Sequence, residues 1–223
     1  MSFKIAIDGP AATGKSTIAK LLAKSLSFIY IDTGAMYRAM GLYFIKNNIS
    51  YNDENMINSL CDDIDLSISY QDGEQQISLN GENVTNLIRT EEVSKYASIT
   101  STYKKVREKL VYLQRSLGEK ENVIMDGRDI GTVVFPNADL KIYLTATAKE
   151  RVKRRYKELL LKGENVKEED VEAELKERDY RDTNRENSPL RRADDAILID
   201  TTNLSIEEVL EKIEKIYNEK RGN

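Results

Sequence analysis

The apolar positions fall into short runs and helical stripes that alternate along the chain. Phe3-Lys4-Ile5-Ala6-Ile7-Asp8 is a short apolar run suited to a buried strand, and after residue 14 the positions Ile18, Ala19, Leu21, Leu22 and Leu26 recur at helical spacing. A second run, Ser27 to Asp32, leads into a helix predicted near residues 34–47. Strand, loop, helix, strand, loop, helix is the opening of a parallel α/β sheet. From about residue 50 the period changes: Leu66, Ile68 and Tyr70 alternate with polar residues, Asp72-Gly73 marks a turn, Ile77 and Leu79 alternate again, and Asn80-Gly81 marks another turn. This predicts a small antiparallel element, foreign to a parallel sheet and best read as an insert. Helices are predicted near 91–100 and on the stripe Val106, Leu110, Leu113, Leu117, ending at Gly118. Strands three to five of the core are expected at 123–126, 139–145 and 195–200. A last helix opens at the capping box of Ser205 and Glu208 and buries Ile206, Val209, Leu210, Ile213 and Ile216.

Between the first strand and first helix stands Gly9-Pro10-Ala11-Ala12-Thr13-Gly14-Lys15-Ser16-Thr17, which reads G-x-x-x-x-G-K-[ST], a P-loop in its proper strand–helix context. Such a loop aims backbone N–H groups and a helix N-terminus at a polyphosphate. Lys15 adds a point charge for the outer phosphates, and the Ser16 hydroxyl can ligate Mg²⁺. The motif implies a nucleotide with Mg²⁺; what is done to that nucleotide must come from elsewhere in the chain. Because ligands of parallel sheets gather at the carboxyl ends of the strands, Asp32, Thr33, Tyr37 and Arg38 belong to the same edge. Asp126 ends its strand as a carboxylate placed to order a magnesium water shell, or else as a helix cap or a loop-bracing carboxylate.

Composition narrows the chemistry. The 223 residues are 40% hydrophobic and 32% charged, enough for one sizeable core with lobes inserted into it. A net charge of −4 argues against nucleic-acid or membrane-surface binding. The lone Cys61, the lack of a membrane-length apolar run and an N-terminus that starts directly on a strand lead to the expectation of a cytoplasmic protein. No long exposed apolar stripe asks for a partner, so a monomer is expected. The chain has no histidine, which excludes imidazole acid–base catalysis and histidine metal ligation and leaves carboxylates, Lys, Arg and a phosphate-bound cation.

Residues 146–194 are the most highly charged part. Arg151 and Arg154 read as members of solvated helices with intrahelical ion pairs. Arg178, Asp182 and Arg185, four and three residues apart, share one helical face whose two cations flank a carboxylate, an arrangement suited to a phosphate and a sugar hydroxyl. Phosphoryl transfer needs in-line positioning and positive charge, and Arg grips phosphate bidentately where Lys cannot. Lys15, Arg38, Arg128 and Arg185 are the candidates.

The P-loop, Ile31-Asp32-Thr33-Gly34-Ala35-Met36-Tyr37-Arg38, the block Asp126-Gly127-Arg128-Asp129-Ile130-Gly131-Thr132-Val133-Val134-Phe135-Pro136 and Arg178-Asp179-Tyr180-Arg181-Asp182-Thr183-Asn184-Arg185 together closely resemble bacterial cytidylate kinases, in order and over the whole chain. The resemblance implies a P-loop NTPase fold with a five-stranded parallel core sheet, and ATP-dependent phosphorylation of CMP and dCMP. It implies core segments 1–47, 102–145 and 195–223, an inserted monophosphate-binding lobe at 48–101 and an Arg-rich helical lid at 146–194. Carried over by motif, Lys15, Arg128 and Arg185 are catalytic and Gly9 to Thr17 hold ATP, with Arg155 the lid cation expected over it. Arg38, Arg128 and Arg185 hold the acceptor phosphate beside Thr33 and Tyr37, Ser98, Arg107 and Asp129 line cytosine, and Arg178 and Asp182 approach the sugar. Two positions depart from the family pattern: Ala11 stands where a Ser is common, and Lys104 where a Pro is common.

The base preference has its own physical ground. A carboxylate only accepts hydrogen bonds, so a buried Asp129 suits the N4 amino group of cytosine and faces an acceptor in uracil. A salt bridge from Asp129 to Arg107 or Arg128 is the structural alternative. A kinase of another monophosphate such as UMP, a nucleotide-hydrolysing switch and a non-catalytic anion-binding module are the rival functions at this point.

Overall fold

The computed structural model describes residues 2–222. Its elements run β1 (Lys4–Asp8), α1 (Lys15–Leu26), β2 (Ile29–Asp32), α2 (Thr33–Lys46), α3 (Glu54–Leu60), β3 (Leu66–Gln71), β4 (Glu74–Leu79), β5 (Glu82–Asn83), α4 (Glu91–Thr100), α5 (Lys104–Leu117), β6 (Val123–Gly127), β7 (Leu140–Thr145), α6 (Ala148–Leu161), α7 (Glu168–Asn184), β8 (Ile197–Asp200) and α8 (Ile206–Arg221). A π-helical turn at Ile130–Val134 separates β6 from β7.

Strands β2-β6-β1-β7-β8, in that order, form a five-stranded parallel sheet. Period-two alternation splits its side chains between two cores. Ala6, Ile31, Val123 and Met125 pack with α2, α4 and α5 on one face, while Ile5, Ile7, Ile124, Ile142 and Ile199 pack with α1 and α8 on the other. The chain leaves β1 outward to β2, and returns to both sides of β1 as β6 and β7. That reversal opens a crevice at the strands' carboxyl ends, where the P-loop lies. Among the described residues no helix is long and apolar enough to cross a membrane.

Strands β3-β4-β5 form a separate antiparallel sheet, whose Asp72-Gly73 and Asn80-Gly81 turns have all four residues at positive φ. It is fastened to the edge of the main sheet by side chains: the Gln75 amide bonds both the N–H and the C=O of Asp32, at 2.8 and 3.3 Å, and the Tyr70 hydroxyl donates to the Tyr30 carbonyl at 3.1 Å.

Some details differ from the sequence expectations. Leu21 and Ile206 sit at the rims of their helical stripes and are exposed, and Ala23 and Tyr217 fill the buried positions instead. Strand β8 begins at Ile197 rather than 195, because Asp195 turns aside to pair with the buried Lys141 at 2.8 Å. Arg151 and Arg154 are not merely solvated. Arg151 ties α6 to Asp179 of α7 and to the Ala11 carbonyl, at 2.6 and 3.2 Å, and Arg154, besides its intrahelical Glu150, donates to the side chain and backbone of Thr201.

Candidate active site

The P-loop conformation follows from two glycines. At Gly9, φ is +149° and an added Cβ would lie 2.0 Å from the Leu144 carbonyl oxygen, so the loop can pass over β7 only without a side chain. Gly14, at φ +89°, caps α1 and leaves the helix N-terminus open to a ligand. Lys15 is buried, with its ammonium folded back on the Pro10 carbonyl and the Thr13 hydroxyl. Burial and the neighbouring Arg128 cation press its pKa well below the ordinary lysine value. An ammonium so placed gains from an arriving polyphosphate.

Ser16 donates to one oxygen of the Asp126 carboxylate and Tyr30 to the other, each at 2.8 Å. Burial and then Asp32 raise the Asp126 pKa, while Lys15 and these two hydroxyls oppose the rise. These contacts tie Asp126 to the start of α1 and to β2. It is fixed from two sides, and together with Ser16 it offers hard oxygen donors beside the phosphate loop. Two such donors are too few for a full cage but suit Mg²⁺, which keeps several waters and shares its coordination with phosphates.

A cavity of about 440 Å³ runs from the P-loop to α4, α5 and α7. Every predicted site residue lines it except Gly9 and Pro10, which support the loop from behind. Asp32 caps α2 through the Ala35 N–H and holds Arg38 at 2.9 Å, leaving Arg38 Nε buried without a partner. Arg128 bonds Asp182 at 2.8 Å, and Arg185, the residue that terminates α7, stands 3.7 Å from the same carboxylate. Burial would raise the pKa of Asp182, but Arg128, Arg178 and Arg185 outweigh it and keep the group ionised. Arg178 lines the cavity with no salt bridge among the described residues; burial and Arg128 push it down to about 10. Arg128 and Arg178 thus act on Lys15 from one side of the cavity, and of the two only Arg178 has no carboxylate partner among the described residues.

At the far end, Asp129 is buried between Arg107 and Arg185. Of the anticipated salt bridges it makes the one to Arg107, whose guanidinium also donates to the Ser101 carbonyl at 3.1 Å and lies over the Tyr37 ring. Among the described residues the Tyr37 hydroxyl and Arg107 Nε have no hydrogen-bond partner, and both are buried. Thr33 commits its hydroxyl proton to the Asp126 carbonyl at 2.6 Å. Arg181, assigned no role from sequence, donates to the Ser98 hydroxyl at 3.2 and 3.3 Å and joins α7 to α4. Arg155 is shared between Glu158 of its own helix and Glu91 at the start of α4.

A second cavity of about 410 Å³ lies behind the P-loop, between Thr13, Arg154, Arg155 and the start of α8. Sequence reasoning missed it, because its walls come from segments nearly two hundred residues apart.

The family model for cytidylate kinase matches residues 5–219. The chain belongs to the cytidylate kinase family. It is 56% identical over 213 residues to the cytidylate kinase of Caldicellulosiruptor bescii, covering 96% of this chain and 94% of that one. Identity to the cytidylate kinase of Carboxydothermus hydrogenoformans is 54%, over 97% of this chain and 98% of that one, and to that of Bacillus subtilis 50%, over 97% and 96%. Among solved structures, an uncharacterised protein from Eubacterium ventriosum superposes with a TM-score of 0.52 at 13% identity, covering 98% of this chain and 99% of that one. That likeness concerns the fold alone. For a cytidylate kinase family member, the convergence of arginines opposite a P-loop is the feature to explain.

Proposed function

We propose that the protein transfers the γ-phosphoryl group of ATP to CMP or dCMP, giving ADP and the pyrimidine nucleoside diphosphate. The observation that carries this reading is the single cavity in which a P-loop faces Arg38, Arg128 and Arg178, with the Asp129 carboxylate beyond them. A P-loop alone binds nucleotide; three further arginines and an acceptor-only carboxylate specify a second, anionic, base-bearing substrate.

The acceptor phosphate oxygen is itself the nucleophile, so no imidazole is needed. It attacks the γ-phosphorus in line, the bond to the ADP oxygen breaks, and charge spreads over the moving group. Lys15 holds the donor phosphates, Arg38 and Arg128 orient the acceptor phosphate, and Arg185 stabilises the charge that develops. Ser16, with Asp126 behind it, would hold a magnesium ion, which when bound supplies charge neutralisation across the donor phosphates. The second cavity takes the donor nucleoside. Asp129, with Ser98 and Arg107, reads cytosine, and Arg178 and Asp182 meet the sugar.

In this reading 48–101 is the acceptor lobe and 146–194 the lid, inserted into a core of 1–47, 102–145 and 195–223. Lid closure excludes water that would otherwise hydrolyse ATP. The acidic net charge favours free nucleotides over nucleic acid as substrates and the buried free Cys61 fits a reducing, cytoplasmic compartment; a monomer remains the expectation.

The test is ADP production from MgATP with CMP, dCMP, UMP, AMP, GMP and dTMP offered singly. Strong rates with CMP and dCMP alone are expected. Equal rates with UMP would discard the Asp129 account of the base pocket, and acceptor-independent hydrolysis would discard the kinase.

A further inference from the structure

The buried carboxylate of Asp8 has no place in the reaction as described. It ends β1, one residue before the P-loop, and is 5% exposed. Both of its oxygens are occupied: Oδ1 accepts from the Ile130 N–H at 2.8 Å and Oδ2 from the Gly131 N–H at 2.7 Å. These N–H groups open the π-helical turn Ile130–Val134, and the first N–H groups of any helical turn lack partners within it. The residue before the turn ordinarily supplies the cap, and Asp is among the best at doing so. Here that residue is Asp129, yet its side chain makes no capping bond and turns instead to Arg107 and Arg185. Single π-helical turns gather at functional sites.

We propose that Asp8 is a positioning residue for acceptor recognition: it caps the 130–134 turn in place of Asp129 and so keeps the Asp129 carboxylate free to face the acceptor base. The proposal deepens the reading of Asp129 given above and rests on it. Asp8 touches neither nucleotide; it acts through the backbone of Ile130 and Gly131. Loss of its second acceptor oxygen leaves one N–H orphaned, and Asp129, the nearest carboxylate, rotates to satisfy it.

The arrangement has a signature that a merely structural role lacks. Burial pushes the Asp8 pKa up to about 7 against the pull of the two N–H bonds; the charged groups facing it are Asp129 from the turn, which raises it further, Lys15 from the P-loop, which lowers it, and Tyr143 from β7. Above that pH the carboxylate grips both N–H groups. Below it, the protonated group has one good acceptor left, so preference for cytosine declines as pH falls from 8 to 6.

The experiment compares wild type with Asp8→Asn, measuring kcat/KM for CMP and UMP and KM for ATP across pH 6–8. Asn offers one acceptor and one donor and mimics the protonated state. The expected result is a CMP:UMP ratio reduced roughly 10- to 100-fold at pH 8, the worth of a charge-assisted hydrogen bond, with KM for ATP within about threefold. The ratio declines from pH 8 to pH 6 in the wild type and is flat in the variant; titration of the nucleotide phosphates is common to both and cancels. A variant that keeps the wild-type ratio and its pH profile overturns the proposal. Should Asp8→Asn not fold, the wild type decides: the Ile130 and Gly131 amide resonances and the CMP:UMP ratio must share one midpoint near pH 7, and separate or absent midpoints overturn it. Wild-type turnover with neither CMP nor UMP would instead remove the role of Asp129 in base reading, while the amide titration still judges the Asp8 contact.

Discussion

Replacing Asp129 by Asn separates the ion pair seen in the structure from the base-reading role proposed for the same side chain. Asp129 is 5% exposed, ion-paired to Arg107, itself 3% exposed, and 3.5 Å from Arg185. Breaking a buried pair by neutralising one partner costs about 3–5 kcal/mol. Both cations retain partners, however: Arg107 keeps the Ser101 carbonyl at 3.1 Å and Arg185 keeps Asp182 at 3.7 Å. The lower end, about 3 kcal/mol, is therefore expected, within the roughly 5–15 kcal/mol of an ordinary domain. For a chain of this length that lowers Tm by about 6–12 °C and leaves a folded enzyme at 25 °C. Base recognition changes separately. CMP loses a hydrogen bond to a charged acceptor, about 1.5–3 kcal/mol, or 10- to 150-fold in kcat/KM. The Asn amide also offers uracil O4 a donor, so UMP gains while CMP loses, and the CMP:UMP ratio drops by more than the roughly 10- to 150-fold lost by CMP alone. A thermal melt and coupled ADP assays with each acceptor read the two effects independently. A melt shifted as expected beside a CMP:UMP ratio unchanged within about threefold would refute the base-reading argument and leave Asp129 as the counter-ion of Arg107.

Three further outcomes follow from the same site. Arg185→Ala is expected to lower kcat with CMP by about 10²–10³ while KM for ATP stays within about threefold, because Arg185 lies at the acceptor end; equal losses in both parameters would contradict that placement. Glu91→Gln releases Arg155 from the α4 side of its shared ion pair and should lower KM for ATP about two- to fivefold, the worth of a partly exposed salt bridge, as measured by initial rates at saturating CMP. Gln75→Leu removes the clamp on the Asp32 backbone that sets the partner of Arg38, and should raise KM for CMP about five- to tenfold with ATP unaffected; a matched rise for both nucleotides would show general loosening instead.

What the sequence made legible is what lies contiguous in it. The P-loop, the Asp126–Asp129 block and the Asp72-Gly73 and Asn80-Gly81 turns each carry their meaning within a few residues, because a positive-φ requirement or a strand–loop–helix junction is local. Helical stripes were legible except at their rims, where Leu21 and Ile206 satisfy the period but meet solvent. Partnerships that span the chain were not. Arg151 and Arg154 look like solvated helix charges until folding sets Asp179 and Thr201 against them. Arg181 finds Ser98 83 positions away, and Asp8 finds Ile130 122 positions away. The apolar run 130–135 has neither helix nor strand period, so a π-helical turn left no trace in the pattern.

The distribution of satisfied and unsatisfied groups explains how one cavity can be both rigid and receptive. Asp182 and Asp129 fix Arg128, Arg107 and Arg185 before any nucleotide arrives, so little side-chain freedom remains to be lost on binding. Those carboxylates hold only part of each guanidinium fork. Arg38 Nε and Arg107 Nε stay buried without partners, and Arg178 carries a charge that burial and Arg128 disfavour. An anionic substrate relieves these costs together, which links acceptor affinity to the same side chains that orient the acceptor. A neutral ligand of equal shape would leave the Arg178 charge uncompensated, so charge as well as shape weighs on what the cavity can hold. In the proposed reading Asp129 meets the base of a nucleotide whose phosphate the arginines hold, and a single misdirected hydrogen bond there separates cytosine from uracil.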